Sequence, residues 1–158
     1  VNFHFKSKEL LLIETLKFIS NEYLDSFQRS LRKSGNDPKK KIISIINNDF
    51  SNNICSRDKI SVWFTFFSEL KFKPAYHQIC KERDLYYQKI TQDILKELIK
   101  KEKINISDKK LSRGFQALVM GLWLDQLEDP ETFRKKEAKE ICFSFIKRTF
   151  PKQFKKLL

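Results

Sequence analysis

Apolar residues recur along most of this chain at helical spacing, and alternation of the kind a strand needs is absent. Leu12, Leu16, Ile19, Tyr23 and Phe27 mark one stripe of a helix that Ser7 can cap and that runs to about Lys33. Ser34-Gly35 ends it, with Gly35 suited to a left-handed position. Asp37-Pro38 opens a second helix, with apolar positions Ile42, Ile45, Ile46 and Phe50 and an expected end near Ser51 among poor helix formers. Ser56 caps a third helix reaching about Phe72, and Pro74 starts a fourth that continues to about Lys103. Ile79, Tyr86, Ile90, Ile94 and Leu98 read as its buried seam. Ser107 caps a fifth, Asp108 to about Leu127. Asp129-Pro130 opens the sixth, which ends near Phe150-Pro151, and the basic tail 152–158 is expected to fray. The expected fold class is all-α, six helices with short connections.

The third and fifth helices stand out. Trp63, Phe64, Phe66 and Phe67 put four rings within five residues, and Trp63, Phe66, Phe67 and Leu70 share one helical face. Such a face can fill a core or line a cavity. The fifth helix carries two of the three glycines, Gly114 and Gly121, one heptad apart. A glycine inside a helix costs about 1 kcal/mol relative to alanine, so close approach of another backbone or a ligand is expected there. Phe115, Leu118 and Leu122 on this helix, with Ile141 and Phe145 on the sixth, spread apolar surface over a wide arc. Homodimerisation through Gly114, Phe115, Leu118, Gly121, Leu122, Ile141 and Phe145 would cover it.

Composition narrows the class. The 158 residues suffice for one domain with a real core. The net charge of +12 is uneven: +4 over residues 1–41, +1 over 42–132 and +7 over 133–158. A basic surface suits a polyanion such as nucleic acid, although Lys/Asn/Ile-rich composition also follows from base bias in a genome. Three widely spaced cysteines fit neither a disulfide framework nor a zinc site, pointing to a reducing cytoplasmic setting. No apolar run approaches the ~20 residues of a membrane span, and no signal peptide opens the chain. It begins at Val1 rather than Met, as expected of a piece of a longer protein. His77 and Cys80 lie three residues apart, but two ligands make no metal site and nothing acidic accompanies them. No enzyme, cofactor or metal is therefore expected.

With the elements placed, Val1-Asn2-Phe3-His4-Phe5-Lys6-Ser7-Lys8-Glu9-Leu10-Leu11 resembles the junction of TetR-family repressors, where the DNA-recognition helix passes into a long connecting helix. Trp63-Phe64-Thr65-Phe66-Phe67 followed by Pro74, and Ala117-Leu118-Val119-Met120-Gly121-Leu122-Trp123-Leu124, are similar to the C-terminal domain of the choline-responsive subgroup that governs glycine-betaine synthesis. The likeness covers nearly the whole chain. It implies that residues 1–6 are the tail of the recognition helix, that 7–158 form an effector-binding and dimerisation domain, and that most of the helix-turn-helix headpiece is missing from this sequence. Phe3, His4 and Lys8 would approach operator DNA, with Lys8 on a phosphate at a helix N-terminus. One departure stands out: Met120 occupies a position where relatives in the subgroup often have an acidic residue.

The resemblance implies a repressor that a small effector, choline or betaine aldehyde, releases from operator DNA. A quaternary ammonium needs several aromatic faces, and the candidates are Trp63, Phe67, Tyr86, Tyr87, Phe115 and Trp123. Each has ordinary core packing as its alternative reading. The rival for the whole chain is a helical protein-interaction module without a small-molecule ligand.

Overall fold

The computed structural model describes residues 8–155, and the expectations for Phe3, His4 and the Ser7 cap lie outside them. Six helices follow in order: α1 (Lys8–Ser34), α2 (Pro38–Asp49), α3 (Arg57–Glu69), α4 (Pro74–Glu102), α5 (Asp108–Glu128) and α6 (Lys135–Thr149). The starts of α2, α3 and α5 rest on local chemistry. Asp37, Ser56 and Ser107 each accept a backbone N–H of the first turn, from Lys39, Lys59 and Lys110. Gly35 takes φ +69°, the left-handed conformation that a side chain disfavours.

α4 is the central element. It packs against α1, α2 and α5, while α3 leans on α5, and α6 closes over α2 and α5. A single apolar cluster runs through all six helices, with Leu16, Phe27, Ile42, Ile45, Ile46, Phe115 and Cys142 fully buried.

Several boundaries differ from the sequence expectation. α3 stops at Glu69 because Pro74 restricts the residue before it: Lys73 is extended, and its N–H turns back to the Glu69 carbonyl. α6 begins at Lys135 rather than at Asp129-Pro130. Asp129 instead closes an isolated turn, taking the N–H and the hydroxyl of Thr132, after which extended Arg134 breaks the path. At the other end of α1, Leu12 is 37% exposed, so the buried stripe begins one turn later, at Leu16.

The seam of α4 is also displaced. Its buried positions are Tyr76, Cys80, Arg83, Tyr87, Thr91, Ile94, Leu95 and Leu98, with Glu102 at the end. Ile79 and Ile90 are half-buried and Tyr86 is exposed. An arginine and a threonine in the stripe hide it from a search for apolar periodicity.

The tail does not fray over 150–155. Phe150 and Phe154 enter the core, and the buried carboxylate of Glu102 accepts the backbone N–H groups of Lys152 (2.8 Å) and Gln153 (3.1 Å). Lys39 lies over the Phe154 ring, 5.3 Å from its centroid. A carboxylate that takes two orphan N–H groups is a strong local clamp, since charged hydrogen bonds exceed neutral ones. Replacing Glu102 with Ala removes both bonds from these part-buried donors. The expected loss is about 2–4 kcal/mol in urea unfolding, with earlier proteolysis after residue 150. An unchanged midpoint would mean the tail contributes nothing.

Candidate functional site

The site begins with a buried carboxylate. Asp49 ends α2, and its side chain is wholly enclosed. Tyr23 of α1 donates to Oδ1 at 2.8 Å and Tyr87 of α4 donates to Oδ2 at 3.0 Å. The indole N–H of Trp123, on α5, donates to the Asp49 backbone carbonyl at 3.1 Å. Four helices thus meet at one residue. Burial pushes the Asp49 carboxyl up to about 7, against the opposing pull of the two phenol donors and the Asn48 amide. Burial and the neighbouring carboxylate drive both tyrosine hydroxyls well above their usual range, so they remain donors.

Beside this junction lies a cavity of about 40 Å³, space for a few water molecules. Its wall is aromatic on three sides: Trp63 and Phe67 of α3, Tyr87 of α4 with Tyr23 of α1, and Trp123 of α5. Val119 and Met120 add apolar surface, and Gln116, Arg83 and Asp84 are its polar groups. The Trp63 and Phe67 rings stack at 6.0 Å with 23° between planes. Tyr23 packs edge-on against Trp123 at 6.2 Å.

Arg83 occupies the aromatic face. Its guanidinium carbon sits 4.0 Å from the Trp63 ring centroid and 5.7 Å from that of Phe67. Only 6% of the residue is exposed. Burying an ion costs several kcal/mol unless it is paired. Here the compensation comes from the two rings and from Asp84, which accepts from both Nε and Nη2. Asp84 itself is about half exposed, with 45% of its side chain reaching solvent.

Of the six rings expected to surround a ligand, the structure brings together Trp63, Phe67, Tyr87 and Trp123. Tyr86 does not join them. It is 37% exposed and meets Phe27 edge-on, because the buried face of α4 passes through 83 and 87. Phe115 also stands apart: it is completely buried and packs against Phe145 of α6, away from the cavity lining. Its burial equally removes it from the outer surface expected to dimerise, as does that of Leu122. Gly114, Gly121 and Ile141 are exposed and Leu118 and Phe145 half-buried, so these five remain available on one side. A Cβ added at either glycine meets nothing within 4 Å, so no close approach inside the protomer explains them. Lys8 is exposed at the start of α1.

Arg83, Asp49, Tyr23 and Gln116 are missed by sequence pattern. Charged residues in a helix read as solvated, and Asp49 sits in an Asn-rich run that resembles a helix end. The spacing 76, 80, 83, 87 was the available signal. Gln126 differs too. It is buried and clasps the loop before α3, accepting from the Cys55 thiol at 2.9 Å and donating to the Cys55 carbonyl at 3.4 Å. Burial pushes the Cys55 thiol up to about 11 and that of Cys142 up to about 12, so neither is a ready nucleophile. His77 is exposed while Cys80 is buried, so the two share no site.

Among known proteins, the pattern of the BetI-type transcriptional repressor C-terminal domain matches residues 38–151. The regulator BetI of Proteus mirabilis is 27% identical over 150 residues, covering 92% of this chain and 72% of that protein. BetI of Paraburkholderia xenovorans is 25% identical over 148 residues, covering 92% and 73%. In structure, a transcriptional regulator of Pseudomonas aeruginosa PAO1 superposes with a TM-score of 0.84 at 16% identity, over 96% of this chain and 73% of that one. A TetR-family regulator from Rhodococcus gives 0.70 at 14% identity, over 94% and 78%. The fold is that of these two solved regulators. This chain belongs to the BetI-type transcriptional repressors, whose C-terminal domain it carries.

The Asp49 junction makes a prediction about pH. The folded state holds a proton on Asp49 up to about 7, whereas the unfolded chain releases it near 3.8. This group's contribution is therefore complete below pH ~4 and is lost as pH rises toward 7. An Asp49→Asn variant, which keeps an acceptor for one tyrosine, lacks that loss. From pH 5 to pH 8 its stability should gain on the parent by about 2–3 kcal/mol, read from urea unfolding at both pH values. Parallel curves for the two proteins would refute the buried proton.

Proposed function

We propose that this chain is the effector-sensing and dimerisation part of a repressor whose grip on operator DNA is released by a small molecule bound between α3, α4 and α5. The observation that carries this reading is that Tyr23 of α1 forms part of the cavity wall and is bonded to Asp49. A ligand that enters pushes on α1 without an intermediary. In this reading α1 is the connecting helix, residues 1–6 are the end of the recognition helix, and 7–158 are the regulatory domain. Phe3, His4 and Lys8 then face the DNA backbone. A dimer reads two half-sites only at matched separation, so a small tilt of α1 in each protomer suffices to lose the operator. Coupling of this kind is typically about 1–3 kcal/mol.

Choline or betaine aldehyde is the effector that the subgroup resemblance suggests. Either would have to share the Trp63 face with Arg83, whose guanidinium already covers it. The test uses the protein with its DNA-binding segment, bound to operator DNA, challenged with these two compounds and a broad set of small metabolites. Phe67→Ala removes a half-buried wall ring and should raise the concentration needed for release at least tenfold, whereas Phe72→Ala, 70% exposed and outside the cavity, should leave it unchanged. Release by no compound, or identical behaviour of the two variants, would count against an effector cavity.

In this reading the dimer forms through α5 and α6, where Gly114, Gly121 and Ile141 are exposed and Leu118 and Phe145 half-buried. The groove between these helices is lined by Leu118, Ile141 and Phe145 together with Ile104, Ile106 and Leu111. Ile141 is 41% exposed, so Ile141→Glu should fold normally yet sediment as a monomer at concentrations where the parent is a dimer. A dimer that tolerates this glutamate would require a different interface.

A further inference from the structure

We propose that the cavity recognises a small organic monocarboxylate with an apolar body, that Arg83 is its anion contact, and that Asp84 holds the place of the ligand's carboxylate in the empty protein. This rests on the effector reading above and specifies the ligand class.

The argument starts from charge. The one cationic group lining the cavity is Arg83, which is always protonated, and the one carboxylate is Asp84. Arg83 is nine-tenths buried, and its guanidinium carbon lies over the Trp63 ring, 4.0 Å from the centroid. Both of its bonded nitrogens, Nε and Nη2, converge on a single oxygen of Asp84. Nη1 has no hydrogen-bond partner among the described residues and is not one of their buried unpartnered polar atoms, which are the hydroxyls of Thr91 and Ser112. A guanidinium is built to hold a carboxylate through two parallel bonds. Asp84, its immediate neighbour on α4, satisfies only part of that capacity.

The remaining walls agree. Tyr23 and Tyr87 have committed their hydroxyls to Asp49, so they present rings rather than donors to a guest. Val119 and Met120 are apolar, and the Gln116 amide is the remaining polar group. Asp49 lies behind the two phenols, outside the cavity lining, and burial raises its carboxyl to about 7, so it adds no dependable negative charge. A quaternary ammonium would meet a fixed like charge with its best ring face already covered.

Size explains the role of Asp84. The free space of about 40 Å³ holds a few water-sized groups, so a ligand with an apolar body needs more room than this. Asp84 is half exposed, so it can turn to water and rehydrate when another carboxylate takes over Arg83. The vacated volume then opens the cavity toward solvent and leaves room for the ligand's apolar part against Phe67 and Met120.

Thermal shift and tryptophan fluorescence on the whole chain test this, with benzoate and isovalerate as probes, benzamide as the neutral counterpart of benzoate, and choline as the cation. The parent should bind at least one of the acids, and benzoate at least tenfold more tightly than benzamide. Asp84→Asn should fold normally and bind the acids more tightly, because the internal competitor is gone. Arg83→Met, which retains the apolar stem in a buried position, should lose the acids by at least tenfold and gain choline. Equal binding of benzoate and benzamide, acid binding indifferent to Arg83→Met, or no change in Asp84→Asn would overturn the assignment. So would binding of none of the acids. Choline binding to the parent, abolished by Phe67→Ala, would overturn the anion assignment while leaving the effector cavity standing. Absence of release by any compound in the operator experiment is the separate result that removes the cavity itself.

Discussion

One residue with a buried carboxylate ties four helices of this domain together. Asp49 ends α2, yet its side chain and backbone carbonyl gather hydroxyls from α1 and α4 and an indole from α5. No apolar contact could fix the mutual rotation of four helices in this way, because dispersion is non-directional and hydrogen bonds are not. The rings that deliver these bonds are the same rings that wall the cavity. Their hydroxyl and indole tips are pinned, so their faces stand at defined angles to any guest. A buried acid is an expensive means to that end, and the shift of its proton affinity to about 7 records the strain of desolvation.

The cavity and the helix that leads toward the chain's N-terminus are consequently not separate parts to be linked by a pathway. Tyr23 belongs to both. In the proposed reading, a ligand whose contact with Tyr23, Trp123 or Arg83 differs between two arrangements of α1 biases them directly, and only that difference can move the equilibrium. Arg83 adds an internal occupant, so the unliganded protein resembles a filled site more than a vacant one.

Much of the fold was legible from the chain because its signals are local. Asp37, Ser56 and Ser107 are caps, Pro38 and Pro74 are helix starts, and Gly35 is a stop, and each acts within one turn of its own position. The cavity was legible only in part. Trp63, Phe67, Tyr87 and Trp123 could be picked out as large rings at helical spacing, but helical spacing alone does not say which of Tyr86 and Tyr87 faces inward. That choice depends on Arg83 and Thr91 being buried, which reverses what their polarity suggests. Asp49 was invisible for the same reason: its burial is a property of three partners that are 26, 38 and 74 residues away. Phe115 shows the opposite error, a ring on the right helix whose position one turn away takes it into the α5–α6 contact instead.

The clamp between Glu102 and residues 152–153 bears on how the molecule is made. Phe150 and Phe154 complete the core, and Phe154 lies under Lys39, a residue synthesised more than a hundred positions earlier. On a ribosome part of the α2 surface must wait, uncovered, until α6 and its trailing turn have emerged. A chain lacking α6 and residues 150–154 would leave uncovered the part of α2 that they pack against, the kind of surface that chaperones and proteases read as unfinished.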